Sequence, residues 1–584
     1  MSRRKIRPPG PDDGRRQMEL NLFPKTLDIP PIRELPPMRL QPTEQLDFFD
    51  ILEENKPKPE VRINQKALDR LGLTATFPPE GVKVTHPLMA GMDYREYQVA
   101  IAAETTDMNV LAVLPTGLGK TNIAVLAAAR QMIDHPKKKI LVLAPTKPLA
   151  EQHAETFQQS FPDKAVACLT GHTGPEKRGR IWTESDVIVA TSQTILNDIA
   201  HGRLDMSQVS IMVVDEAHHT TKNYPYVEIA KNFSGKGGRI LGLTASPGAD
   251  ADKIKSICLA LGVKSSGIEI RTREDPDVEP YVQYNYRSVI KVPRQGVEEI
   301  EKCLRSMYYE AIADLRQRNL LDKRPEEVKT EDLLEAGRGI NKLIAEFGDG
   351  YSDEKGEALE AKSVHAEAMK LSHALRVLTT HGLYTTSEYL KVIRRDRTQA
   401  SERIFDDARM TEALGAIDKM LSEKAEFPKM DKAMEIVSKY KDGKVIVFTE
   451  YRKTVEDIID ALKDNKGILA QRFIGQAGRD GMSQTEQQQA LREFKDGKFN
   501  VLVATSVGEE GLDIPEVDAV VFFEPVSDER RLVQREGRTG RHKPGATYVL
   551  MAEGTMDEGL YYKGYWQWKK MKHNIDLIKK AGLL

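Results

Sequence analysis

The chain has 584 residues, 40% hydrophobic and 30% charged, which at roughly 150 residues per domain suggests about four domains. Its 86 Lys+Arg against 88 Asp+Glu leave a net charge of -2, which excludes attachment to nucleic acid by bulk charge but not through local basic grooves. Three scattered cysteines exclude a disulfide framework, a zinc ribbon and a four-cysteine cluster and suit a reducing compartment; no run approaches ~18 apolar residues, and the basic start has no apolar stretch behind it.

The first 60 residues hold 11 of the 30 prolines. Proline removes backbone donors and breaks helices and sheets, so residues 1–84 read as a Pro-rich, largely disordered tail. Two apolar islands interrupt it, MELNLF and LDFFDIL. They either fold back on the body or act as a linear motif.

From about residue 85 short β-branched runs alternate with helical stretches, the mark of βαβ units and a parallel sheet. The predicted strands are 109–114, 140–144, 165–169, 186–191, 211–215 and 239–244. Each is apolar on both faces, as buried parallel strands are. A second set follows at 444–449, 468–474, 500–505, 519–524 and 546–551. The fold class is therefore α/β, with two parallel-sheet domains, 85–290 and 427–556, and a cleft between them. The stretch 291–426 differs. Ile300, Cys303, Leu304, Met307, Tyr308, Ala311, Ile312 and Leu315 form an apolar helical stripe, and Val364, Ala368, Leu371, Leu375 and Leu378 form another. This part reads as an all-helical insert.

Chemistry concentrates at strand ends. In NVLAVLPTGLGKT (109–121) a strand enters a loop that opens a helix at Lys120. Gly117 and Gly119 let backbone N–H groups approach phosphate oxygens. Pro115, Thr116, Gly117, Leu118, Gly119, Lys120 and Thr121 form the candidate nucleotide loop. Lys120 neutralises the β/γ-phosphates and Thr121 ligates Mg²⁺, although Leu114 stands where the strict phosphate-loop pattern has glycine. In IMVVDEAH (211–218) a strand ends in two carboxylates. Asp215 is placed to hold the metal and Glu216 to orient and deprotonate water. In QREGRTGR (534–541) Arg538 and Arg541 lie three apart. Two guanidiniums so spaced can reach a γ-phosphate across the cleft, with Gln534 positioning water or phosphate.

Eight motifs occur in the order found in superfamily 2 helicases, which the chain resembles: PTGLGKT, APTKPLAEQ (144–152), VATSQT (189–194), DEAH, LTASP (243–247), VIVFTEY (445–451), VATSVGEEGLDI (503–514) and QREGRTGR. The resemblance implies two tandem RecA-like motor domains binding MgATP. It implies that Arg95 and Gln98 of YREYQ contact the nucleotide, Gln98 reading adenine, and that Gly511 and Asp513 also belong to the nucleotide site. Thr244 and Ser246 would couple hydrolysis to domain movement. Thr146, Thr191, Ser192, Gln193, Gly475, Thr505 and Ser506 would bind nucleic-acid backbone, which positions a strand without reading sequence.

DEAH, TASPG, FPKMDKAMEIV (427–437) and the helical insert resemble archaeal Hef and the Fanconi anaemia M helicase more than the RIG-I and Dicer helicases. This implies branched-DNA substrates, stalled forks and four-way junctions. The XPF-like GDx…ERKxxxD signature is missing, so the expectation is a helicase part alone, with cleavage left to a separate nuclease. Gln17, Leu20 and Phe23 resemble a sliding-clamp-binding box, departing from it at Pro24. Arg316, Arg318, Arg376, Arg394, Arg395 and Arg397 of the insert are candidates for duplex contact or a solvated face. The tail 557–584 either stacks bases on its aromatics or docks them on the second motor domain. An archaeal origin would imply nucleoid-associated cytoplasm. The rival readings are a double-stranded-RNA-dependent ATPase and a DNA-binding scaffold.

Overall fold

The computed structural model describes residues 60–79, 81–283, 285–293, 296–347, 352–423, 427–476, 480–506, 514–540 and 543–582. The clamp-box residues Gln17, Leu20 and Phe23, and the site candidates Gly511, Asp513 and Arg541, lie outside them.

Order begins earlier than the proline content suggests. Asn64 caps a helix, Gln65–Leu71, by accepting from the Ala67 N–H, and Gly72 closes it in the left-handed conformation. A three-stranded antiparallel sheet follows: β1 (Thr74–Thr76), β2 (Lys83–His86) and β3 (Met89–Asp93). Leu68, Leu71, Leu73 and Val84 are buried in the first domain's core. The described residues between 60 and 84 therefore pack with that domain and do not form part of a disordered tail. A capped helix with its leucines on one face outweighs the local prolines.

The first large sheet holds β4 (Val110–Val113), β5 (Lys139–Ala144), β6 (Val166–Leu169), β7 (Val187–Thr191), β8 (Val209–Val214), β9 (Arg239–Thr244) and β10 (Ile268–Ile270). All are parallel, in the order β10-β4-β9-β8-β5-β7-β6. The second sheet, also parallel, runs β11-β16-β15-β12-β14-β13. Its strands are β11 (Asn285–Val292), β12 (Val445–Phe448), β13 (Ala470–Phe473), β14 (Val501–Ala504), β15 (Ala519–Phe522) and β16 (Gly545–Ala552).

β11 corrects the boundary expected at residue 290. It precedes the insert in sequence yet pairs along its whole length with β16, so the chain enters the second domain before the insert begins. Its half-buried edge pattern lacks the unbroken apolar run of the inner strands, which hid it.

The insert is helical: Glu298–Gln317, Thr330–Glu346, Asp353–Arg395, Gln399–Asp406 and Ala408–Ser422. Both predicted stripes line its core. The long helix breaks at Gly382 (φ 83°, ψ -174°), where a β-carbon would meet the Phe427 ring at 3.0 Å.

The C-terminal helix, Met556–Ala581, meets the second domain as one of its two expected readings has it, and then goes further. It starts on the second domain, where Gly564 is pressed against the Val526 carbonyl and the Arg287 guanidinium lies 5.8 Å from the Tyr561 ring centroid. It then crosses over. Met571, Ile575 and Ile578 are buried in the core of the first domain, with Trp568 packed beside them. The Asn574 amide donates to Ala249 O at 2.9 Å. Among the described residues no helix is long and apolar enough to cross a membrane.

Candidate nucleotide site and nucleic-acid groove

β4, β9 and β8 are neighbours, so the loops at their C-terminal ends converge. In open parallel sheets ligands bind at this edge. The phosphate loop follows β4, the DEAH carboxylates follow β8, and LTASP follows β9.

Gly117 (φ 88°) and Gly119 (φ 67°) take conformations that side chains resist. A β-carbon on Gly119 would lie 2.5 Å from Gln98 Nε2, so glycine is needed for space as well. Lys120 opens the helix Lys120–Asp134 with Thr121 behind it, and Lys120 Nζ donates to Leu114 O at 3.2 Å. Leu118 is buried, and its carbonyl accepts from Tyr97 Oη at 2.8 Å and Gln98 Nε2 at 2.9 Å. Arg95 donates to Tyr97 Oη at 3.3 Å. The YREYQ segment thus braces the loop from behind. Gln98 Oε1 and Thr116 Oγ1 are buried and take no hydrogen bond among the described residues. Such atoms in a polar cradle suit a bound ligand.

Asp215 is 6% exposed and receives 2.8 Å contact at Oδ2 from His153 Nε2. Burial opposes ionisation of its carboxyl, but His153 and Lys120 outweigh that and hold it below the usual carboxylate range. Burial likewise lowers the His153 imidazole, and the Asp215 carboxylate reverses this and raises it. Glu216 adopts left-handed backbone (φ 47°, ψ 51°), strain of the kind that gathers at functional sites. Its Oε2 lies 3.2 Å from His218 Nδ1. Sequence reasoning missed His153. Seven residues beyond Thr146 in a helix, it carries no motif signal. Its place on the buried face was the available clue.

His218 Nδ1 also lies 3.2 Å from Thr244 Oγ1, and Thr244 donates to Ser246 O at 3.0 Å. Ser246 Oγ lies 3.3 Å from Glu529 Oε1 and 3.0 Å from Met571 Sδ. The predicted coupling residues therefore stand between the DEAH carboxylates, a helix of the second domain (Glu529–Glu536) and the C-terminal helix.

That second-domain helix ends at Gly537, directly on the phosphate loop. A β-carbon there would lie 2.6 Å from Thr116 Cβ and 2.7 Å from Thr116 O. Gln534 and Arg538, both buried, flank this contact in sequence. Arg273 donates to Gly540 O at 3.0 Å and Thr539 O at 3.2 Å, fixing the same turn from another side.

The nucleic-acid candidates fall into two groups. Thr146 follows β5, and Thr191, Ser192 and Gln193 end and follow its neighbour β7. Gly475, Thr505 and Ser506 follow neighbouring strands β13 and β14. Thr146, Gln193 and Ser506 are exposed. Ser192 and Thr505 are buried, and the Thr191 hydroxyl is bonded to Thr194 Oγ1 at 2.8 Å. Gly475 O accepts from Arg452 at 2.8 Å. In the insert Arg318 pairs with Asp314 and Glu360, while Arg376 contacts Tyr451 and Glu450 of the second domain. These two are committed to internal pairs.

Comparison with known proteins agrees with this architecture. Residues 95–254 match the DEAD/DEAH box helicase family, 428–543 the helicase conserved C-terminal domain, and 297–424 the helical bundle of a putative ATP-dependent RNA helicase. The crystal structure of the Pyrococcus furiosus Hef helicase domain is similar at TM-score 0.63 and 42% identity, over 80% of this chain and 97% of that one. A putative ATP-dependent RNA helicase of Methanocaldococcus jannaschii is 38% identical over 84% of this chain and 62% of its own length. The ATP-dependent DNA helicase fml1 of Schizosaccharomyces pombe is 31% identical over 83% of this chain and 60% of its own length. The chain thus spans about three-fifths of these two relatives. With both motor domains, the insert between them and nearly the whole of the Pyrococcus domain matched, the chain belongs to the Hef-type family of DEAD/DEAH box helicases.

Proposed function

We propose that the chain is an ATP-driven DNA helicase or translocase that remodels branched DNA, stalled forks and four-way junctions, in replication restart and repair. The observation that carries this reading is the seating of Gly537 on Thr116, which brings the turn after the helix Glu529–Glu536 of one motor domain onto the phosphate loop of the other. A nucleotide at that loop would feel both domains, so its hydrolysis would change their contact.

Thr121 and Asp215 would hold Mg²⁺, which when bound neutralises charge on the β- and γ-phosphates. Among the described residues no three His, Cys, Asp or Glu side chains form a metal cage. That suits an ion taking most of its shell from phosphates and water. Lys120 binds the phosphates, Glu216 orients water and takes its proton, and Gln534, Arg538 and Arg541 reach the γ-phosphate. Arg95, Gln98, Gly511 and Asp513 complete the nucleotide site. DNA runs along the two groups of strand-end residues. A sliding clamp at Gln17, Leu20 and Phe23, a separate structure-specific nuclease and, for an archaeal chain, a nucleoid-associated location complete the proposal.

The name of the Methanocaldococcus relative, a putative ATP-dependent RNA helicase, favours RNA over DNA as the nucleic acid and so keeps the RNA-dependent ATPase as a second reading. The deciding experiment incubates the chain and Glu216→Gln with labelled forks, four-way junctions and duplex RNA in the presence of MgATP. ATP-dependent conversion of forks and junctions, lost in Glu216→Gln, supports the DNA reading. Conversion of RNA alone moves the protein to the second.

A further inference from the structure

The helix Lys147–Ser160 buries Ala150, His153 and Phe157. Their spacings of three and four place them on one face, and His153 is the polar member. It meets Asp215, whose backbone is already fixed twice. The Asp215 N–H donates to Leu143 O at 2.9 Å, and Tyr226 Oη donates to Asp215 O at 2.9 Å. The peptide is thus set by the sheet and by Tyr226, while His153 Nε2 at 2.8 Å sets the plane of the carboxylate. A carboxylate only accepts, so Nε2 carries the proton.

The same helix begins at Thr146, which is exposed, extended (φ -130°, ψ 157°) and makes no capping bond with its side chain. Thr146 and His153 are seven residues apart, two helical turns, or roughly 10 Å along the axis. One end of the helix exposes a candidate backbone contact, and its middle holds the carboxylate.

We propose that His153 is the positioning residue for Asp215 and the link by which backbone contact at Thr146 adjusts the metal-facing carboxylate. This rests on the reading of the chain as a DNA-stimulated ATPase. Partners that orient a metal ligand commonly matter about tenfold or more in metal affinity.

The test uses the full chain and two variants. His153→Gln places an amide nitrogen close to the position of Nε2. His153→Asn stays polar but is too short to reach Asp215. Binding of a fluorescent, non-hydrolysable ATP analogue is titrated with Mg²⁺, and ATPase is measured with and without forked DNA. The Asn variant is expected to need about tenfold more Mg²⁺ for half-maximal binding. The Gln variant should recover most of the loss, and metal-free analogue binding should be unchanged in both. DNA affinity should hold while DNA stimulation falls in the Asn variant. Wild-type Mg²⁺ dependence in a folded Asn variant overturns the proposal. So does equal impairment of Gln and Asn, which would mark a packing role. Should the Asn variant melt early, His153→Leu replaces it, and melting of both also marks a packing role and overturns the proposal. If DNA fails to stimulate the wild type, the DNA-motor reading falls, and with it the link to Thr146, while the Mg²⁺ titration still decides the positioning role.

Discussion

Gly537 of the second motor domain lies so close to Thr116 of the phosphate loop that a single methyl group at 537 would stand 2.6 Å from Thr116 Cβ. Gly537 has ordinary backbone (φ -69°, ψ 4°), so alanine is compatible with the local chain and only the contact between domains suffers. Overpacking of this kind costs about 1–3 kcal/mol. Gly537→Ala is expected to lower DNA-stimulated kcat about tenfold or more. Nucleotide binding by the first domain should survive, as read by fluorescence titration beside steady-state ATPase.

On the proposed reading Glu216 and Lys120 divide the work of the site. Glu216→Gln keeps shape and removes the base. It should hold ATP with near-native affinity and lose about 10²-fold or more in hydrolysis. Lys120→Ala should lose binding itself, seen as a rise in nucleotide Kd.

The path from His218 through Thr244 to Ser246 predicts an uncoupled variant. Thr244→Val keeps volume and removes the hydroxyl that faces His218 Nδ1 and donates to Ser246 O. ATPase should stay within about threefold while fork unwinding per ATP falls about tenfold, since His218 and Ser246 each lose the hydroxyl that joins them, at about 1–2 kcal/mol.

The C-terminal helix makes a far residue part of the first domain's core. Ile575 is fully buried there, so Ile575→Ala should cost about 2–5 kcal/mol. Thermal unfolding of the variant should lose the transition of the first motor domain at lower temperature, although residue 575 lies nine positions from the chain end.

Glu524 gives a pH prediction. Burial pushes its carboxyl up to about 8, against the pull of Lys429 and Arg535. The folded chain keeps this proton between pH 4.5 and 8 while the unfolded chain releases it. Stability is full below about 4.5 and falls as pH rises toward 8, with a slope of at most about 1.4 kcal/mol per pH unit. Glu524→Gln should flatten that slope and stabilise the chain at pH 8, measured by denaturant unfolding at pH 5.5 and 8.

The inner strands were legible because burial on both faces forces unbroken apolar runs, as in β4, β8 and β14. The conformation of the candidate phosphate loop was legible because backbone approach to phosphate leaves few choices but glycine, lysine and threonine, and Gly117 and Gly119 do take positive φ. Three features were not. β11 is half-buried and pairs with a strand some 260 residues later, which no local pattern records. The C-terminal helix gives Tyr561 to one domain and Trp568, Met571, Ile575 and Ile578 to the other, and sequence does not say which surface each meets. His153 looks like any helical polar residue until Asp215 is placed beside it.

The most direct test of the central claim is steady-state ATPase of the purified chain at fixed salt, because phosphate-driven binding depends on salt. The panel is single-stranded DNA, duplex DNA, a fork, a four-way junction and duplex RNA. The account predicts strongest stimulation by fork or junction, abolished in Glu216→Gln. Strongest stimulation by duplex RNA, or none by any nucleic acid, would contradict it.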